Sequence, residues 1–187
     1  MGKLSEKLKG LKNSTTAAIE LFENFCLPVE FKEGEVMRTK PSRSFNLYFI
    51  DNGIFQGVAD QPEKNTTVYL ATSGFILAPS FFSKKVPSID YIEFITAANG
   101  WVFDMNNLEI LYKQNHQLIL MLFEIYEEAL YKDQENIMML RMGNADKRFL
   151  HFINHNPNLI YKIKNEVVAS FLNVGNKHLF KVKKKNM

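Results

Sequence analysis

Cysteine is nearly absent from this chain of 187 residues, where Cys26 stands alone. One thiol excludes an internal disulfide framework, a multi-cysteine zinc site and a four-thiolate iron–sulfur cluster. Histidine is missing from residues 1–115; the four present are His116, His151, His155 and His178. Metal-dependent barrel enzymes hold their ion with inward histidines on strands, and haem sensors commonly use a histidine ligand, so the absence counts against both classes. His151 and His155 are four apart, but no third ligand or acid accompanies them, and they read as exposed polar residues. No run approaches 18 apolar residues, and residues 1–12 alternate Lys with Leu, so neither a spanning helix nor a leader peptide is expected. Also missing are a paired nucleophile and base, a phosphate-cradling glycine loop and a metal triad. These absences predict a non-enzyme, without metal or cofactor, in a reducing cytoplasm.

What the chain does have is a large apolar fraction, 46% with sixteen Phe, which is ample for a packed core. Its charge is unevenly spread. After Asp146 there are nine Lys/Arg against the single acid Glu166, leaving +8; the whole chain is +3, so residues 1–146 carry −5. A basic tail on an acidic body predicts different partners for the two halves. The tail is also patterned: residues 167–183 read as two short amphipathic helices joined by a tight turn. A charged helix after a turn is a common way to place side chains in the DNA major groove.

Ser14-Thr15-Thr16 supplies N-cap candidates for a short helix that should end before Pro28. From Val29 to Asp104, short Phe/Val/Ile/Tyr runs are broken by Asn52-Gly53, Ser73-Gly74 and Asn99-Gly100, the texture of an antiparallel barrel or sandwich. Strands are expected at 36–39, 46–51, 54–59, 67–70, 90–97 and 100–105. Leu47-Tyr48-Phe49-Ile50 and Ile54-Phe55-Gln56-Gly57-Val58, joined by Asp51-Asn52-Gly53, predict a hairpin. Beyond Asn106 the period becomes helical: Leu108, Leu111, Leu118, Leu122, Ile125, Ala129, Ile137 and Leu140 recur at steps of three or four. A helix over 117–141 would run about 37 Å, longer than a small barrel needs. Its stripe predicts a seam with a second copy, although Lys132 and Asn136 interrupt it. The competing reading lays the same stripe along its own barrel. Gly143-Asn144-Ala145-Asp146 reads as a stop and hinge.

This order resembles the Crp/Fnr family of bacterial transcription regulators, most of all the short forms common in Bacteroidetes. The resemblance rests on Phe31-Lys32-Glu33-Gly34-Glu35-Val36, Leu47 through Gly53, Gly74-Phe75-Ile76 through Ser80-Phe81-Phe82-Ser83, and Asp90-Tyr91-Ile92-Glu93. It continues through Arg148-Phe149-Leu150, Asn156-Pro157-Asn158-Leu159, Val168 through Leu172 and Leu179 through Lys183. It implies an α+β protein with three parts. Residues 1–115 would form an N-terminal helix and an antiparallel β-roll of the jelly-roll, cyclic-nucleotide-binding type. Residues 116–142 would form a dimerisation helix, and residues 143–187 a winged-helix-like helix-turn-helix, with no wing expected before the sequence ends at Met187.

Cyclic-AMP-binding members hold the phosphate with a Gly-Glu pair and a later Arg-Ser pair. Here Phe75 follows Gly74 in the acidic position, and residues 84–90 contain no arginine. Gly74, Phe75, Phe81, Phe82, Lys85 and Ser88 would then line a drier, more apolar effector pocket. Such a pocket is unsuited to cyclic AMP and either takes another small-molecule effector or is plugged by side chains.

By position in the family motif, residues 167–172 form the supporting helix, Asn173-Val174-Gly175 the turn and residues 176–185 the reader. Ala169 would sit at the helix crossing, with Val168, Leu172, Val174, Leu179 and Val182 in the shared core. Asn176, Lys177, Phe180, Lys181 and Lys184 would face double-stranded DNA. Asn suits adenine and Lys the O6/N7 edge of guanine, while Lys162, Lys164, Lys183, Lys184 and Lys185 suit phosphates. Lysine in place of the family's arginines forgoes bidentate readout. The expected protein is a homodimeric regulator on a twofold operator. The alternatives are a scaffold of the same fold acting without DNA, and a small-molecule carrier or cupin-like enzyme.

Overall fold

The computed structural model describes residues 2–38, 46–59, 62, 64–77 and 91–186. Two helices open the chain, α1 (Gly2–Lys9) and α2 (Thr16–Asn24). Thr15 caps α2, its hydroxyl accepting from the Ala18 N–H at 3.2 Å. Leu4 and Leu8 of α1 are fully buried, as are Ala18 and Phe22 of α2, so both helices are held by an apolar face rather than by propensity.

Eight strands follow: β1 (Cys26–Phe31), β2 (Val36–Arg38), β3 (Asn46–Asn52), β4 (Phe55–Ala59), β5 (Thr66–Ala71), β6 (Gly74–Ile76), β7 (Tyr91–Phe94) and β8 (Ala98–Asp104). They form two antiparallel four-stranded sheets, ordered β1-β8-β3-β6 and β2-β7-β4-β5. Two strands, β1 and β6, were not among those expected. β1 contains Pro28, which cannot donate to a ladder; it is accommodated because β1 lies at a sheet edge.

The expected hairpin between β3 and β4 does not form. β3 pairs with β8 and β6 in the first sheet, while β4 pairs with β5 and β7 in the second. The turn instead carries the chain from one sheet to the other at Gly53. Its φ of +137° lies outside the range of L-residues, and a Cβ there would overlap Ala98.

Between the sheets lie Ile50, Phe55, Ile92, Phe94 and Ala98, with Tyr48, Tyr69 and Ile76 packed against them. Phe31 stacks on Phe94 with centroids 3.9 Å apart. The outer face of the first sheet carries Leu47, Phe49 and Phe103 into a second core with α1, α2 and the helices that follow. These are α3 (Leu108–Gln114) and α4 (Gln117–Arg141). The long helix has the bounds expected of it, but the expected seam is corrected over its first half, while Ile137 and Leu140 of that stripe are exposed. Leu118, Leu122 and Ile125, together with Met121, are buried against their own roll and N-terminal helices, not left for a second copy.

Candidate nucleic-acid interface

After α4 the chain forms α5 (Ala145–His155), a 3-10 turn at Leu159–Tyr161, α6 (Asn165–Phe171) and α7 (Asn176–Asn186). Each boundary has a local cause. Asn144 caps α5, its side-chain oxygen accepting from the Asp146 N–H at 2.7 Å. Pro157 follows the end of α5, where its missing N–H and fixed φ prevent the helix from continuing. Asn173 turns the chain at φ +51°, a left-handed conformation that Asn tolerates. The turn is closed by Val174 N–H donating to the Ala169 carbonyl at 2.9 Å, and Leu179 N–H donates to the Gly175 carbonyl at 2.9 Å to start α7.

The core of this unit is Phe149, Phe152, Leu159, Ile160, Val168, Ala169, Phe171, Leu172, Leu179 and Val182, all buried, with Val174 packed against it. Ala169 is 3% exposed; a larger side chain there would have to displace a neighbour in this core. With Leu179 and Val182 fixing the inward face of α7, the helical period turns Asn176, Lys177, Phe180, Lys181 and Lys184 outward together. All five are exposed, Phe180 at 56%. These are the residues that the sequence pattern placed on a reader face.

Two of the expected phosphate-contacting lysines also have partners within the chain. Lys183 donates to the Asn165 side chain at 2.8 Å, and Lys185 forms an ion pair with Asp146. Lys162, Lys164 and Lys184 are exposed.

Sequence reasoning did not single out Arg148 as a clamp, although it belongs to one of the motifs that carry the resemblance. Its guanidinium donates to the Met142 carbonyl at 2.8 Å and to the Asn173 carbonyl at 3.4 Å. One side chain thereby joins the end of α4 to the turn that precedes α7. Beside it a cleft of ≈ 650 Å³ is lined by Asn144, Asp146, Arg148, Gly175 and His178.

The histidine pair is self-occupied: the rings of His151 and His155 lie 4.1 Å apart, and His155 Nδ1 donates to the His151 carbonyl at 2.8 Å. Among the described residues no three His, Cys, Asp or Glu side chains gather as a metal site.

Of the expected effector pocket, Phe81, Phe82, Lys85 and Ser88 lie outside the described residues. Gly74 opens β6 at φ +114°. Phe75 is corrected: it faces away from the space between the sheets, meeting Phe49 edge-on at 4.8 Å and packing against the helix-side core. Ile76, its neighbour, is the residue that turns into the roll.

A second feature of α4 bears on assembly. Leu120, Phe123, Leu130, Tyr131, Ile137 and Met138 are exposed, the last five at 55–69%. At 100° per residue these six fall within an arc of about 120°, opposite the buried stripe. Lys132 and Asn136, which interrupt the stripe read from the sequence, lie outside that arc.

No family model matches the chain, and no curated protein matches it. Solved structures do. The chain is similar in fold to FixK2 from Bradyrhizobium japonicum, with a TM-score of 0.73 at 10% identity over 86% of this chain and 83% of that one. It is similar to CLP from Xanthomonas campestris, described as a c-di-GMP-responsive global regulator, with a TM-score of 0.70 at 13% identity over 91% of each chain. It is also similar to a transcriptional regulator of the Crp/Fnr family from Eubacterium rectale, with a TM-score of 0.70 at 15% identity over 92% and 83%. The chain therefore shares the fold of these structures, an antiparallel β-roll followed by helices. None of these bears on the resemblance to Bacteroidetes forms. Among the described residues no helix is long and apolar enough to cross a membrane.

Proposed function

We propose that this protein is a dimeric DNA-binding transcription regulator of Crp/Fnr type, divided into a roll and N-terminal helices (residues 1–115), a dimerisation helix (116–142) and a reader (143–187). The observation that carries the reading is the outward face of α7. A helix buried through Leu179 and Val182 presents Asn176, Lys177, Lys181 and Lys184 on one side, all exposed. Donors on such a face suit base edges and phosphates of a duplex. The outer stripe of α4 supplies the contact between copies: apolar side chains on an otherwise exposed long helix are the material of a two-helix seam. A symmetric pair would set two α7 helices about one DNA turn, ~34 Å, apart.

The reading excludes cyclic AMP as effector. The position that carries an acid in cyclic-AMP-binding members holds Phe75, which packs outside the roll. Any small-molecule effector belongs between the sheets beside Tyr48, Tyr69 and Ile76.

The test is a mobility shift on a duplex selected from a random pool, titrated with salt. A reader making about six phosphate contacts should lose about a thousandfold in affinity between 50 and 200 mM salt. Absence of any selected duplex would favour the second reading, a degenerate cyclic-nucleotide-binding-like scaffold acting through protein or small-ligand contacts. The internal engagement of Lys183 and Lys185 is the observation in its favour.

A further inference from the structure

The second sheet of the roll is covered on part of its outer side, along β5 and beside Ile54 and Ile95. α6 packs against β5, the edge strand of that sheet. Ile54, just before β4, belongs to the same buried cluster as Val168, Ala169, Phe171 and Leu172, and Leu70 and Ile95 pack against that cluster. The contact is registered by hydrogen bonds as well as by apolar surface. Thr67 directs its backbone N–H away from β4 and donates it to the Ser170 hydroxyl at 2.9 Å. The Thr67 hydroxyl donates to Gln56 Oε1 at 2.7 Å, and Gln56 Nε2 donates to Glu93 at 2.8 Å. Gln56 and Thr67 are the buried polar residues of the chain among those described, and both lie in this relay. A satisfied buried network of this kind fixes one arrangement and penalises others, because separation would leave its members partly unpaired.

We infer that the outer face of the second sheet is a seat that holds the helix-turn-helix at a fixed angle to its own roll, with Ser170 as the positioning residue. The functional half of this statement rests on the regulator reading above. The same strands connect the seat to the interior. Phe55 and Tyr69 face the space between the sheets, whereas their neighbours Ile54 and Leu70 face the helix-turn-helix. Strand side chains alternate faces, so a ligand that displaces Tyr69 inside the roll moves Leu70 in the seat through one peptide unit. Coupling by this path does not run along α4.

The test uses the full-length protein and amide hydrogen exchange followed residue by residue. Thr67 should be protected although it donates outside its ladder, and Ser170→Ala should speed its exchange about tenfold or more. Amides within the β4–β5 ladder should keep their rates. Leu70→Lys should unseat the unit, raising the radius of gyration in X-ray scattering with helical content unchanged. On a selected two-half-site duplex it should weaken binding about tenfold, while a single half-site binds within about twofold, because only the paired site needs fixed reader geometry. An unprotected Thr67 in the parent protein, a rate unchanged by Ser170→Ala, or an unchanged radius in Leu70→Lys would overturn the seat. If exchange and scattering behave as expected but no duplex is ever selected, the seat stands and the regulator reading fails.

Discussion

Gly100 in β8 shows how one residue can hold two strands together. A Cβ at this position would overlap the Phe49 carbonyl oxygen and come within 2.9 Å of the Ile50 Cα. Both are backbone atoms of the paired strand and cannot step aside. Gly100→Ala should therefore lower the unfolding free energy by roughly 2–4 kcal/mol, read from urea denaturation. Lys177 and Lys181 are the opposite case, exposed and free of packing duties. Replacing both with Ala should abolish sequence preference on duplex DNA while leaving thermal stability and dimer mass as they were; retained selectivity would place the reader elsewhere. Their exposure was legible from the sequence because a helical period with Leu179 and Val182 inward leaves no other orientation. The direction of Phe75 was not legible, since in a strand buried on both faces an apolar residue is equally suited to either side.

Among elements, α4 is the most instructive. It carries two apolar stripes on opposite sides, one buried by its own roll and helices, the other exposed. A sequence pattern gives the period of a helix but not which stripe meets which surface, so the inner stripe was assigned to the wrong partner. The outer stripe predicts that Phe123→Glu with Leu130→Glu gives a monomer by sedimentation equilibrium, with helical content unchanged because Leu118, Met121, Leu122 and Ile125 remain covered. A dimer that survives this pair would exclude the outer stripe as its seam. The turn after β3 teaches a related lesson. Asp51-Asn52-Gly53 is good turn chemistry in either role, and only the two-sheet packing decides that the chain crosses between layers instead of folding back.

For the molecule as a whole, a buried thiol and a half-buried phenol link folding to alkaline pH. Burial, aided by Glu23, pushes the Cys26 thiol from 9.0 up to about 12. Burial, aided by Asp133, pushes the Tyr69 phenol from 10.0 up to about 12. Both groups are neutral when protonated, and the folded state holds their protons more tightly than the unfolded chain does. Their contribution is thus complete below about pH 9 and is lost as pH rises towards 12. The urea midpoint should fall across that window, and Cys26→Ala should flatten its lower part. A midpoint indifferent to pH between 9 and 12 would contradict the burial of both groups.

The order of parts, the bounds of α4, the α6–turn–α7 pair and its outward lysines were set by local chemistry. Thr15 as cap, Asn173 and Gly175 at the turn, and the alternation of Leu and Val with Lys act within a few residues of themselves, so the chain alone determines them. Three things waited for the tertiary structure: which strands pair, which stripe of α4 is covered, and that α6 rests on β5 through Ser170 and Thr67. Each joins residues far apart in the chain. Such contacts depend on which of several adequate apolar surfaces come together, and that is decided only when all of them compete to be buried at once.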